Sequence, residues 1–297
     1  MKKILFLILI TAFFSCAKDD YKGDNASTPI ILKFAPENEK AFSDNGNNLY
    51  AVQIYATTLS SDNYIPYAYG LFDNESDIKI SLPEDIEYKI ESTIVTDGKT
   101  LIRHDSLAYY EPFILNNNTP AELTNKFTVS NLVYFPNLQV SKAQLTAEKD
   151  SVSDSRTFTA PSVDRYYGEL AEFDPEINTT AEINMERMVF GLQLTINNMT
   201  RSDVTLILEG TPDSLVVKGG QSSTIDRIYT LPDFRPGKTL DPLSIRVYHK
   251  DSDVQVEGQG EFFIKKRARD IITLTVSKTD KTKADYKYEI ERKSDFY

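Results

Sequence analysis

From Pro29 onward apolar side chains recur at every second residue, which predicts strands rather than helices. Ile30, Leu32 and Phe34 share one face of a first run, and Tyr50, Val52, Ile54 and Ala56 share one face of a second. Ile78, Ile80 and Leu82 form a third, which breaks at Pro83-Glu84-Asp85. Beyond the break Ile86, Tyr88 and Ile90 alternate with Glu87, Lys89 and Glu91, so these two runs read as a connected strand pair with one wet face. A turn is expected at Asp97-Gly98-Lys99, then strands over 100–103 and 127–133 on either side of the loop at 116–120.

The second half repeats the pattern more strongly. Met188, Phe190, Leu192, Leu194 and Ile196 fall on one face, with Gly191, Gln193, Thr195 and Asn197 opposite. Burying those five side chains contributes on the order of 7–15 kcal/mol. Further strands are expected at 204–208, 245–248, 262–264 and 271–276, punctuated by Gly219-Gly220, Pro232 and Pro236. At the end of the chain Tyr286, Tyr288 and Ile290 alternate with Lys287, Glu289 and Glu291, a terminal strand over 285–292. No long amphipathic crossover helix intervenes, so the fold class is all-β, built as sandwiches and not as a parallel sheet. Residues 141–161 are rich in Ser, Lys, Asp and Glu and show no sustained alternation. They divide the chain into an N-terminal β-sandwich at 29–145, a linker at 146–161 and a C-terminal β-sandwich at 162–297. A short helix near 141–149, or a long hairpin connection inside one larger domain, competes with the linker reading.

Ahead of the strands lies an address. Lys2 and Lys3 precede an apolar run from Ile4 to Ile10 that continues through Ala12, Phe13 and Phe14. About a dozen apolar residues fall short of the ~20 that a spanning helix needs, so residues 1–15 read as a signal peptide. The single Cys16 stands where the run stops, an arrangement that resembles the lipobox of bacterial lipoproteins, with Phe14 where small residues are commoner. That resemblance implies cleavage before Cys16 and acylation of it, and two or more acyl chains are what stable anchoring requires. Residues 16–28 then form a lipidated, polar tether. Its Lys18, Asp19 and Asp20 look like the acidic export signal that sends Bacteroidota lipoproteins through the outer membrane to the cell surface.

Composition narrows the function. The 297 residues carry 44 Asp and Glu against 33 Lys and Arg, a net charge of −11. Loss of Lys2 and Lys3 with the leader brings it to −13. Such a chain is repelled by nucleic acid. With 40% hydrophobic and 26% charged residues it is neither disordered nor a multi-pass membrane protein. One Cys and two His supply no thiolate zinc site, disulfide framework or His-rich cluster, so no metal and no cofactor is expected.

Three segments carry a family resemblance: 164–168 (Asp-Arg-Tyr-Tyr-Gly); 183–194, where Arg187 precedes the alternating apolar run; and 266–276, a basic turn leading into a Thr-rich strand. Together they resemble the fimbrillin-like lipoproteins of Bacteroidota. The resemblance implies a pair of transthyretin-like or immunoglobulin-like sandwiches acting as pilus subunit, pilus anchor or surface adhesin. Its partners would be other pilus or adhesin subunits, or ligands on a host or bacterial surface. Polymerising members of that family exchange strands: an excised N-terminal strand leaves unpaired backbone groups that a neighbour's strand restores. Here Ile30, Leu32 and Phe34 mark the candidate first strand, and Tyr286, Tyr288 and Ile290 mark either a mobile strand or an edge strand folded onto its own domain. The family's maturing protease cuts after Arg, yet the first Arg is Arg103. Either Lys33 or Lys40 is used, or the chain is an uncleaved anchor or accessory subunit.

No catalytic constellation stands out, and an enzyme is not expected. His104-Asp105-Ser106 holds the residue types of a hydrolytic triad, but adjacency in sequence does not make a relay. The segment 44–48 lacks the spaced carboxylates of a calcium loop. A second function is glycan capture by a surface lipoprotein of a polysaccharide-utilisation system, for which Tyr64, Tyr67, Tyr69, Tyr109-Tyr110 and Tyr166-Tyr167 would be the ring platforms. Ser106, Ser151 and Ser214 each sit in an Asp-Ser-aliphatic triplet resembling the O-glycosylation sequon of these bacteria.

Overall fold

The alternation at Ile30, Leu32 and Phe34 becomes a ten-residue strand whose three side chains are all buried. The computed structural model describes residues 26–36, 46–58, 61–139, 143–146, 163–209, 211, 213–230, 244–249, 252–255, 269–278 and 286–295. The first part comprises β1 (Ser27–Pro36), β2 (Leu49–Thr58), β3 (Ser61–Phe72), β4 (Lys79–Pro83), β5 (Tyr88–Val95), the short helix α1 (Gly98–Leu101), β6 (His104–Asp105), β7 (Ala108–Ile114), β8 (Pro120–Glu122), β9 (Thr128–Val129), β10 (Arg165–Phe173) and β11 (Thr180–Arg187). The second part comprises β12 (Val189–Asn198), β13 (Val204–Glu209), β14 (Ser214–Val217), β15 (Ser222–Thr230), β16 (Ser244–His249), β17 (Ser252–Gln255), β18 (Arg269–Lys278) and β19 (Tyr286–Asp295). The protein is all-β in character.

The first part is built on an eight-stranded sheet of order β4-β1-β11-β10-β5-β2-β3-β9. β11 is its corner. Residues 180–185 run parallel to β1, while Glu186 and Arg187 pair with Tyr167 and Tyr166 of β10. The sheet thereby folds into two layers, as strands that change sheets do in sandwiches. Ile30, Leu32 and Phe34 of one layer meet Tyr50, Val52 and Ile54 of the other in one core, and the Phe34 ring stacks on Tyr50 at 5.8 Å. The opposite face of the β2 layer is covered too. Leu49, Ala51 and Val95 join Tyr109 and Phe113 of the small β6-β7-β8 sheet and Phe135 of the loop beyond β9 in a second core. Gln53, fully buried between the cores' edges, pins that loop: its Oε1 accepts from Phe135 N at 2.9 Å and its Nε2 donates to Ala68 O at 3.2 Å.

The second part is a sandwich of two four-stranded sheets, β15-β12-β18-β19 and β14-β13-β16-β17. Phe190, Leu192, Leu194 and Ile196 of β12 face Val204, Leu206 and Leu208 of β13, with Ile272, Leu274 and Val276 of β18 completing the core.

Several sequence expectations change. Pro83 does end β4, but β4 and β5 are not a pair: β4 pairs with β1, whereas β5 lies between β10 and β2. The alternation marked which side chains are buried and carried no information about the partner. The turn expected at 97–99 is the helical turn of residues 98–101, which takes up the first half of the strand expected over 100–103. Asp97 adopts φ 54°, and its carbonyl accepts from Thr100 N and Leu101 N. The expected strand at 127–133 is only the two residues of β9. The partition at 146–161 does not separate the sheets, because β10 and β11, expected in the C-terminal sandwich, complete the first sheet through β5 and β1. Met188 does not share a core with Phe190. It packs with Tyr109 and Phe113, its N–H donating to Arg165 O at 2.8 Å where β11 gives way to β12. The terminal strand spans 286–295, and β1 begins at Ser27, inside the expected tether. The expected strand at 262–264 lies outside the described residues, as do Pro232 and Pro236.

Candidate functional site

The two segments singled out for strand exchange are both paired within the chain. β1 lies between β11 on one side, from Ile31↔Thr180 to Pro36↔Met185, and β4 on the other, from Ser27↔Pro83 to Ile31↔Lys79. It is an interior strand, and β4 reaches the sheet through it alone. Lys33, offered as a cleavage point, stands between buried Leu32 and Phe34 and opposite Glu182. Lys40 lies outside the described residues, as do Cys16, Lys18, Asp19 and Asp20. At the far end β19 pairs antiparallel with β18 over its whole length, placing Tyr286 opposite Lys278, Tyr288 opposite Val276 and Ile290 opposite Leu274. β19 is an edge strand, so its outer backbone groups face no strand of this sheet.

Two of the three segments behind the family resemblance, 164–168 and the first part of 183–194, meet at one seam; of the third, residues 269–276 belong to β18 beside β12 and 266–268 lie outside the described residues. Arg187 Nε donates to Asp164 Oδ1 at 2.7 Å, with Arg187 only 5% exposed. Arg165 is fully buried; its Nε donates to Thr93 Oγ1 at 3.1 Å and a terminal nitrogen donates to Leu138 O at 2.9 Å. Burial brings its guanidinium down to about 9, and the Glu111 carboxylate opposes that shift. Tyr166 and Tyr167 point to opposite sides of β10 into the two cores. Burial, then the charge of Asp164, pushes Tyr166 up to about 12. Tyr167 rises further for the same first reason, assisted by Glu91 and Glu169. Gly168 is required by proximity: a Cβ there would lie 2.4 Å from Asn184 O and 2.8 Å from Met185 Sδ. These motif residues hold β10 and β11 together. They expose no reactive group.

The other candidates resolve individually. His104-Asp105-Ser106 is the exposed tip of the β6-β7 hairpin: His104 Nδ1 faces Ser106 O at 3.1 Å, its ring lies on Tyr109, and Asp105 accepts from the Tyr110 hydroxyl. No relay exists there. Of the 44–48 segment, Gly46–Asn48 is a turn in which Asn48 Oδ1 accepts from Asp97 N and Gly46 O accepts from Lys99 Nζ. Among the described residues no group of three or more His, Cys, Asp and Glu side chains converges as metal ligands would. Several of the tyrosines serve packing: Tyr67 meets Tyr88 edge-on and Tyr69 meets Phe135, whereas the more open Tyr64 donates to Glu87 at the surface. Tyr110 also keeps a more open position, under Arg103 at 4.5 Å. Of the three Asp-Ser-aliphatic triplets, Ser106 is exposed at φ 57°, Ser214 lies in β14 opposite Ile207, and Ser151 is outside the described residues.

What sequence reasoning missed are β3, β6, β7, β8, β10, β14, β15 and β17 as strands, and a polar clamp. Asp73 accepts from Lys99 Nζ at 2.7 Å and from Asn125 Nδ2 at 2.9 Å, joining the ends of β3, α1 and the turn before β9. The three residues are far apart in sequence, and no local pattern marks them.

No protein-family model and no curated protein sequence matches the chain. Solved structures with a similar arrangement exist. The fimbrial anchor protein Mfa2 from Porphyromonas gingivalis is 9% identical, with 92% of this chain and 98% of that one covered at a TM-score of 0.40. The tip fimbrial protein Mfa3 from the same organism is 6% identical, with 92% and 100% covered at 0.36. A fimbrial assembly protein from Parabacteroides distasonis is 10% identical, with 92% and 100% covered at 0.37.

Proposed function

We propose that this chain is a lipid-anchored protein of the outer membrane, facing the cell exterior, that works through protein–protein contacts in adhesion or pilus biogenesis. The observation that carries the reading is the arrangement of its two ends. A leader stopping at Cys16 supplies attachment, and a few residues later β1 enters the interior of the first sheet and is held there on both edges. A subunit that donates or loses its first strand needs that strand accessible to protease and partner. Here Lys33 is paired with Glu182 of β11, in a strand whose first half is also held by β4 as far as Ile31, which favours an uncleaved anchor or accessory subunit over a polymerising one. Contacts to partners are then left to exposed loops and edge strands such as β19. Glycan capture finds less support, because most of the candidate tyrosines are spent on packing. Catalysis has no part in this reading.

Mass spectrometry of the mature protein, from cells with and without surface proteolysis, tests the reading. An acylated Cys16 as the first residue, β1 retained and the body lost on shaving are expected. A native chain that keeps residues 1–15 with an unmodified thiol overturns it. A glycan panel and crosslinking of intact cells separate the two functions: sugar binding without any protein crosslink reverses their order.

A further inference from the structure

We propose that the first part of the protein is a shear clamp and the second part a yielding element, so that tension along the chain opens them in a set order. The inference concerns the direction in which each hydrogen-bond ladder is loaded. In the first part the chain enters at the N-terminal end of β1 and leaves at the C-terminal end of β11, where Arg187 is followed after one residue by β12. Those two strands are adjacent and parallel. Opposed pulls on the start of one and the end of the other slide the strands past each other, along their axes and across their hydrogen bonds. The bonds of a parallel ladder are evenly spaced and slanted, so all of them share such a load. β1 would have to break six residue pairs with β11 and five with β4 together. Ile30, Leu32 and Phe34 would leave the core in the same event.

The second part is loaded in the other sense. The chain enters at the start of β12 and ends beyond the C-terminal end of β19. Gly191 of β12 is level with Arg269 of β18, and Arg269 is level with Asp295 of β19. Entry and exit therefore lie at the same end of one sheet, with β18 between them. A pull between these points acts across the strands and peels β19 from β18 one pair at a time, beginning at Asp295. Each step then opposes the force with about one ladder interaction, individually weak. Forced unfolding is governed by the barrier along the pulled coordinate and not by equilibrium stability. The two parts can thus differ in mechanical strength even at equal stability. For a protein tethered near β1, the body next to the tether holds while the distal one extends and bares the edge of β18. The clamp belongs to the fold whatever holds the N-terminus.

Single-molecule pulling decides this. The chain from residue 17, which lacks the single Cys, is stretched between handles at its two termini. The expected trace has an early, low-force release of roughly 350 Å for the second part and a later, higher-force release of roughly 550 Å for the first, at about 3.5 Å per residue. A second geometry places the far handle on Ile177→Cys, in the exposed turn just before β11. Both handles then sit at the same end of β1 and β11, and the force for the first part falls several-fold. Equal forces in the two geometries, or release of the first part before the second, overturn the proposal. Equal urea midpoints of Ile177→Cys and the parent confirm that only the direction of load has changed; if they differ, Asn178→Cys carries the handle. Because this readout needs no membrane, an unmodified Cys16 would sink the anchoring reading and leave the clamp standing.

Discussion

Arg187 Nε donates to Asp164 Oδ1 at 2.7 Å, and this pair ties the residue before β10 to the last residue of β11, where the chain leaves the first body. Removing the carboxylate leaves a cation that is almost wholly buried. Asp164→Ala is expected to lower stability by about 2–3 kcal/mol, below the full cost of breaking a deeply buried pair because Asp164 itself is a quarter exposed. Urea unfolding measures it, and a change under about 0.5 kcal/mol, the range of ordinary surface substitutions, would mean that solvent already satisfies Arg187.

Gly168 and Gly46 make a matched comparison. Gly168→Ala places a methyl against the Asn184 carbonyl and should cost about 1–3 kcal/mol, since backbone must move to admit it. Gly46→Ala meets nothing within 4 Å but sits at φ +74°, so its cost is purely conformational, about 1 kcal/mol. The two are distinguished by hydrogen exchange: only the first change loosens the β10–β11 amides.

Met188 and Phe190 lie two residues apart and feed different cores. Each change to Ala is expected to cost about 2–5 kcal/mol. Met188→Ala should speed amide exchange in β7 and β10 and leave β13 and β18 protected, and Phe190→Ala should do the reverse. Equal loss of protection in both bodies after either change would contradict the assignment of the two cores.

Asp73 gives an acid-side prediction. Burial raises its carboxyl, but the hydrogen bonds from Lys99 and Asn125 outweigh that and hold it below the ordinary 3.8. Its folded value is depressed, so the unfolded chain binds the proton more readily, and the stability Asp73 contributes is present above about pH 4 and lost as pH falls through its folded value. The stability gap between the parent and Asp73→Asn should therefore be largest at neutral pH and shrink towards pH 3. A gap that is constant over that range would refute the clamp's ionic character.

Tyr55, Tyr166, Tyr167 and Tyr229 give the alkaline counterpart. Burial first, and neighbouring carboxylates next, raise all four phenols above 10. The unfolded chain loses these protons first, so stability falls as pH climbs from about 10 towards 12. Tyrosinate absorbance should lag behind that of the urea-unfolded protein through this interval, and coincident titrations would show the rings to be solvated.

Much of this molecule was legible in its alternation. Ile30, Leu32 and Phe34, or Leu192, Leu194 and Ile196, name their buried face because successive side chains of a strand point to opposite sides. That period also establishes the all-β class. The proposed leader and lipidation of Cys16 rest on an equally local signal, a contiguous apolar run and one sulfur, and lie outside the described residues. Partner choice is another matter. The same pattern in β4 and β5 predicted a hairpin, and only the tertiary structure sent β4 to β1 and β5 to β10. β10 and β11 were assigned to the second sandwich by their position in the chain, but their buried faces fit the first core. Met188 continued the rhythm of β12 and was turned aside by one backbone bond to Arg165. A period of two states which side of a strand is dry; it says nothing about which strand lies alongside, because pairing depends on contacts remote in sequence that the folded chain alone brings together.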